Sequence, residues 1–242
     1  MSVLEEAVRT LRPPPGDRHG PLMPLMIALT FLTGVVDAAS YLEFGHVFVA
    51  NMTGNLVFLG FALAGAAGLS AITSLVALGS FLVGALVSGY LGARHAEHRG
   101  RLLRAASITQ FTLILAALIV ALAVGEPLSS GTRYALLVPL ALAMGVQNAA
   151  AQRLAVPELT TTVLTRTLTG LASEAGFIGG PGSKFGRRGI AVAAMLLGAV
   201  AGALLVLKVS IAAALAVAAA IVLAVALVAH ALSRTDAPWA KP

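Results

Sequence analysis

Two charged side chains, Asp37 and Arg166, lie inside long apolar stretches and are the strongest candidates for chemistry. A charge at the centre of a membrane helix costs about 2.5–3.5 kcal/mol on insertion scales, so it should face the protein interior or water. Such a carboxylate can bind an ion or carry a proton. We predict a buried Asp37–Arg166 ion pair, because a buried charge generally needs a partner. The alternatives are that Asp37 ends its helix near the headgroups and that Arg166 extends its guanidinium to the cytoplasmic surface.

Amide and hydroxyl side chains from the same apolar regions complete the predicted substrate-binding or coupling site. Asn51 and Asn55 are four residues apart and would share one helix face. Helices that begin near Asn51 and Thr160 would point their N-termini into the membrane, where free N–H groups suit a carboxylate or phosphate. The alternative is that these side chains only form hydrogen bonds between helices. The polar members of the predicted site are Asn51, Thr53, Asn55, Gln147, Asn148 and Thr165.

These polar residues belong to sequence patterns that occur twice, 111 to 114 residues apart. In the second copy Asn148 takes the place of Asp37, and Arg166 takes the place of Gly54. Duplicated polar signatures inside apolar sequence are typical of transporters whose site lies between two structural repeats. The matching segments are 34–39 with 145–150, 52–56 with 164–168 and 84–88 with 198–202.

The composition is that of an integral membrane protein, with 58% hydrophobic and 11% charged residues. Soluble domains carry about 25% charged residues. The basic residues behind the net charge of +6 lie in short loops, which indicates control of topology rather than binding to nucleic acid. The chain has no cysteine, and His95 and His98 are too closely spaced for a zinc-protease motif. We expect no cofactor, no metal site and no enzymatic activity.

Eight apolar segments are candidates for crossing the membrane. If all eight cross from a cytoplasmic N-terminus, 9 Lys and Arg residues lie inside and 6 outside. If the second and sixth segments enter and leave on one side, 13 lie inside, 2 outside, and Arg166 stays in the membrane. Because Lys and Arg accumulate in cytoplasmic loops, we predict an all-α protein with six transmembrane helices and two short re-entrant or broken helices. Eight crossings, four plus four, are the alternative. The segments are 22–42, 47–66, 70–93, 102–124, 133–152, 159–178, 189–207 and 209–232.

The chain then divides into two membrane repeats, 22–124 and 133–232, between two cytoplasmic tails. The first tail, 1–21, is polar, is expected to be flexible and does not read as a cleavable signal. The second tail is 233–242. Three crossings in each repeat would make the repeats inverted relative to each other.

Several of these motifs resemble the YoaK-like family of bacterial multi-pass membrane proteins. The resemblance implies a bacterial plasma (inner) membrane protein with six transmembrane helices, and it implies no substrate and no reaction. The family usually carries glycine where this chain has Arg166. The resemblance rests on Gly34 with Asp37, the run 48–55, the run 144–149 and residues 161–165.

These features favour a secondary transporter or exporter of a small solute, with a polar site at the repeat interface. An anionic solute and proton coupling through Asp37 are both compatible with the pattern. One alternative is a channel or facilitator. Another is a non-transporting membrane scaffold or partner subunit in the lipid bilayer, whose polar residues only join helices.

Overall fold

The structure, a computed structural model, describes residues 3–125, 127–157, 159, 164–173, 185–235 and 237–241. All regular structure in these ranges is helical. The helices are α1 Val3–Leu11, α2 Leu22–Glu43, α3 Met52–Leu63, α4 Ala71–Arg94, α5 Arg99–Val124, α6 Ser130–Leu154, α7 Leu164–Ser173, α8 Phe185–Lys208 and α9 Ile211–Leu232, with a short 3₁₀ turn at Pro238–Ala240.

Six helices of the described chain are long and apolar enough to cross a bilayer: α2, α4, α5, α6, α8 and α9. They contain 22 to 26 residues, about 33–39 Å at 1.5 Å per residue, which exceeds the roughly 30 Å hydrocarbon core. The side chains of Ser70, Ser129 and Ser210 cap α4, α6 and α9 by accepting hydrogen bonds from backbone N–H groups of the first turn. The prediction of an all-α protein with six transmembrane helices is confirmed.

Helix α3 does not cross the bundle. Its 12 residues span about 18 Å. Phe44 and Gly45, which follow α2, line a cavity of about 350 Å³ together with Ser70 and Thr73 at the start of α4. Because α2 ends where α4 begins, the chain between them enters and leaves at one end, so the alternative of eight crossings is not supported. Segments on both sides of α7 lie outside the described residues, so a second re-entrant element stays a prediction.

Glycine brings two pairs of crossing helices into backbone contact. Helix α2 lies against α8, α4 against α6, and α5 against α9, while α3 packs on α4 and α7 on α8. A Cβ atom on Gly198 would overlap the carbonyl oxygen of Phe31 in α2, and one on Gly34 would overlap the backbone of α8. Gly84 and Gly145 allow the same approach between α4 and α6. Small residues therefore set the spacing of both pairs.

Arg99 joins several chain segments at one end of the bundle. Its guanidinium is buried and donates hydrogen bonds to the carbonyl oxygens of Arg18, Leu154 and Trp239. The starts of α2 and α5 thus meet the end of α6 and the C-terminal segment; we call this the basic end. Burial, and then the positive charge of Arg99, lower the pKa of His19 beside it.

Both predicted tails contribute to this end. Helix α1 packs against α8, and the Glu6 carboxylate accepts a hydrogen bond from the backbone N–H of Gly186. The Trp239 side chain is buried against Gly20 and Gly100. The sequence predicts a flexible N-terminal tail, whereas the structure places a helix there. The difference arises because the partners of these segments are far away in the chain.

Candidate functional site

Asp37 lies inside the bundle and holds the loop that leads into α3. Six residues, about 9 Å of helix, separate it from the end of α2. Its side chain is 5% exposed, and Oδ1 accepts hydrogen bonds from the backbone N–H groups of Val49 at 3.1 Å and Ala50 at 2.8 Å. The loop therefore runs back into the membrane-spanning body before α3 begins. Its backbone donors would otherwise be buried without partners.

Asn55 fixes the same loop from the other side. Its side chain is completely buried, with Oδ1 accepting from the Phe48 N–H at 2.9 Å and Nδ2 donating to the Phe48 carbonyl at 2.7 Å. Asn51 caps α3 by accepting a hydrogen bond from the Gly54 N–H at 3.3 Å, and its side chain is exposed. Thr53 is also exposed on the first turn. Of the three polar residues predicted here, Asn55 therefore positions backbone, while Asn51 and Thr53 remain accessible to a ligand.

Aromatic rings stack at the loop before α3. Tyr41 of α2 stacks on Phe48 with ring centroids 5.0 Å apart, and Phe58 of α3 stacks on Phe48 at 5.8 Å. Aromatic pairs at such distances contribute about 0.5–1.5 kcal/mol beyond the area they bury. The aromatic stack and the polar contacts of Asp37 and Asn55 therefore hold the entrance to α3 in one conformation.

A cleft of about 460 Å³ lies beside Asp37, between α2, α8 and the loop before α3. We call it the α2–α8 cleft. Asp37, Tyr41, Phe48 and Asn51 are among its lining residues, and the rest of the lining is apolar. The close contact between α2 and α8 forms its floor, because Gly34 also lines it. The cleft combines Asp37 with open volume.

Gln147 forms a separate buried network where α2, α5 and α6 meet. Its Oε1 accepts a hydrogen bond from Gln110 Nε2 at 2.7 Å, and its Nε2 donates to Thr33 Oγ1 at 2.9 Å and to the Leu29 carbonyl at 3.3 Å. Both glutamines are almost fully buried. The network satisfies all the polar atoms of one amide inside the membrane, so it joins helices rather than lining the α2–α8 cleft.

The remaining predicted residues are divided between α6 and α7. Asn148 is half-buried on α6, next to Gln147. Thr165 is exposed on α7, and the side chain of Arg166 lies outside the described residues. The Asp37 carboxylate accepts hydrogen bonds from backbone N–H groups, and its ion pair with Arg166 stays a prediction.

Sequence reasoning missed Gln110 and the two cleft-lining rings. Gln110 is a polar residue in an apolar run, the same signal that pointed to Asp37, and could have been found by that rule. Tyr41 and Phe48 carry no such signal, because aromatic residues are ordinary in apolar segments. Only the return of the loop towards α2 brings their rings together.

The fold and site define a multi-pass α-helical membrane protein with a buried acid beside a re-entrant helix. The profile described as "Protein of unknown function (DUF1275)" matches residues 25–228, and the chain belongs to this family. It is also 31% identical over 152 residues to the UPF0700 transmembrane protein YoaK of Bacillus subtilis (strain 168). That alignment covers 62% of this chain and 65% of the relative, slightly less than two thirds of its length. No solved structure matches the chain. The predicted resemblance to the YoaK-like family is confirmed.

Proposed function

We propose that this protein is a secondary transporter or exporter of a small solute, with the solute site beside Asp37 at the start of α3. The observation that carries the proposal is the backbone of the loop before α3, which is irregular, lies within the bundle and is held by a buried carboxylate. Irregular backbone at membrane depth is tolerated where protein or a cavity surrounds it. Discontinuous helices of this kind form the solute and ion sites of many transporters.

The packing of the helices supports two structural repeats. Suppose that the first repeat, α2 to α5, corresponds in order to the second repeat, α6 to α9. The contact of α2 with α8 then has its counterpart in the contact of α6 with α4, and the contact of α5 with α9 is its own counterpart. Individual contacts follow the same correspondence, with a shift of 111 residues between α2 and α6 and 114 residues between α4 and α8. Chance packing would not reproduce both shifts. The corresponding contacts are Gly34–Met195 with Gly145–Phe81, and Gly198–Phe31 with Gly84–Leu142.

The two repeats are inverted in this proposal. Helix α2 begins at the basic end and its counterpart α6 ends there, because Arg99 contacts both Arg18 and Leu154. The basic end lies in the cytoplasm, since short loops rich in Lys and Arg stay on that side. Both termini are then cytoplasmic, and α3 is entered from outside. The membrane is the bacterial inner membrane.

Flux into proteoliposomes tests the proposal. Purified protein is reconstituted and uptake of a panel of small solutes is measured with and without a pH gradient. A carrier gives saturable flux. The Asp37→Asn variant keeps an oxygen that can hold the loop, so we expect the protein to stay folded. We expect its flux to be strongly reduced. Glu43→Gln removes a carboxylate from the end of the same helix, outside the lining of the α2–α8 cleft, and is expected to leave flux unchanged.

Two results would overturn the proposal. Flux that rises linearly with concentration would identify a channel or facilitator. No flux for any solute, together with stable co-purification of another membrane protein, would identify a scaffold or partner subunit. Asp37→Asn would then alter assembly rather than transport.

A further inference from the structure

The α2–α8 cleft is open to the lipid phase. Its volume of about 460 Å³ falls within the roughly 300–1,000 Å³ of small-molecule sites. Val200 lines it from the middle of α8 and is 48% exposed. Exposed apolar side chains halfway along a membrane helix face acyl chains. An apolar molecule dissolved in the bilayer can therefore reach the cleft from the side.

The only formal charge that the described side chains of the cleft lining can carry at neutral pH is negative. Asp37 is the only acidic residue in its described lining, and that lining contains no Lys, Arg or His. The N–H groups of Val49 and Ala50 orient the carboxylate but bring no formal positive charge. A bound cation would supply the opposite charge that a carboxylate in apolar surroundings lacks.

Three of the donors that could select an anion are already occupied. Backbone N–H groups before and at a helix N-terminus are the usual ligands of carboxylates and phosphates. Here the N–H groups of Val49 and Ala50 donate to Asp37, and the N–H of Gly54 donates to the Asn51 side chain. An anion in the cleft would meet a carboxylate at the place where free donors are needed. The structure thus argues against the anionic solute that the sequence left open.

The aromatic rings extend the apolar lining beside Asp37. Tyr41 and Phe48 both line the cleft, and their rings stack on one another. One carboxylate, two aromatic rings and apolar walls suit a cation that is itself mostly apolar.

We infer that the α2–α8 cleft binds a hydrophobic organic cation, an amphiphilic amine or onium ion that enters from the lipid phase. This inference rests on the proposed transport function, because it names the class of solute that the site takes. The positive centre lies at Asp37 beside the aromatic rings, and the apolar groups lie against α8 in the region of Ala199 and Ala203.

A pair of ions of nearly equal size and shape tests the inference. Tritiated tetraphenylphosphonium and tetraphenylborate are bound by equilibrium dialysis to the full-length protein in nanodiscs, with empty nanodiscs subtracted. Saturable, displaceable binding of the phosphonium, at least about tenfold tighter than that of the borate, is expected; a tenfold ratio corresponds to about 1.4 kcal/mol. Equal binding of both ions, or no saturable binding of the phosphonium, would overturn the inference. The cleft would then be a site that lipid acyl chains fill.

Three variants locate the binding. Asp37→Asn is expected to weaken phosphonium binding at least about tenfold, while Glu43→Gln, which removes a charge from the same helix outside the cleft lining, leaves it unchanged. Ala203→Phe fills the cleft without touching the carboxylate and is expected to abolish binding. It keeps the test decisive if Asp37→Asn does not fold. Equal effects of Asp37→Asn and Glu43→Gln, or full binding to Ala203→Phe, would contradict the inference.

The binding assay tests the cation site and the flux assay tests transport, so a negative result in one can be told apart from a negative result in the other. Saturable phosphonium binding without any flux would support the cation site and overturn transport. Flux of a solute that tetraphenylphosphonium does not inhibit would support transport and overturn the cation site.

Discussion

Removing the Asp37 side chain should release the loop before α3, whereas removing only its charge should not. In Asp37→Ala the buried N–H groups of Val49 and Ala50 lose their acceptor. A buried donor left without a partner costs about 1–3 kcal/mol, so the two together amount to about 2–6 kcal/mol. Side-chain hydrogen bonds in membrane proteins average about 0.6 kcal/mol, which favours the lower part of that range.

Asp37→Asn keeps an oxygen in the position of the acceptor. Each hydrogen bond then changes from charged to neutral, a difference of about 1 kcal/mol per bond. The neutral side chain no longer has a buried charge, which offsets part of this loss. We expect Asp37→Asn to be about 1 kcal/mol less stable than the wild type, clearly more stable than Asp37→Ala.

Cysteine labelling follows the loop directly, because the chain has no cysteine of its own. Ala50→Cys introduces a thiol at a position that is 3% exposed and should react slowly with a maleimide. Labelling is expected to accelerate in Asp37→Ala and to stay slow in Asp37→Asn, with stability measured in parallel by unfolding in mixed micelles. Asp17→Ala is the matched control, because Asp17 also accepts two backbone N–H groups, but at the basic end. Equal labelling in both Asp37 variants would refute the positioning role of the carboxylate.

Three further predictions concern packing and pH. Gly198→Ala places a methyl group on a carbonyl of α2 and should abolish a monodisperse protein in size-exclusion chromatography, whereas Gly60→Ala, with nothing within 4 Å, should not. Gln147→Leu combined with Gln110→Leu should be less destabilising than the sum of the two, by about 0.6–1.7 kcal/mol in unfolding measurements; strict additivity would contradict the hydrogen bond between them. Because burial and a neighbouring guanidinium lower the pKa of His19, the unfolded chain binds its proton more readily, so stability should fall as the pH drops below about 6.5. His19→Gln should flatten that slope in unfolding curves, and an unchanged slope would assign it to another group.

The number of crossing helices followed from the sequence because it depends on local quantities. Length and apolarity identify each crossing helix. The distribution of Lys and Arg predicted that the segment around Asn55 is a re-entrant element rather than a crossing. The first predicted segment, 22–42, agrees with α2 at Leu22–Glu43, and the start of α3 next to Asn51 was also anticipated. The repeated glycines at 84 and 198 pointed to close helix contacts that the structure contains.

The roles of the polar side chains could not be read in the same way. Asp37 and Gln147 give the same signal in sequence, a polar residue in an apolar run. One holds a loop beside an open cleft, and the other closes a network between three helices. Their difference depends on which backbone or side chain lies opposite, and those partners are 13 and 37 residues away in the chain.

The sequence by itself thus determined the class of protein, the number of crossings and the positions where polarity enters the membrane. These follow from the cost of placing each residue in lipid, which is a property of that residue and its near neighbours. Only the tertiary structure decided that Asp37 contacts backbone, that Tyr41 and Phe48 stack beside it, and that a cleft opens against α8. Such contacts depend on how closely α2 and α8 approach, and that distance is set jointly by glycines from the two halves of the chain.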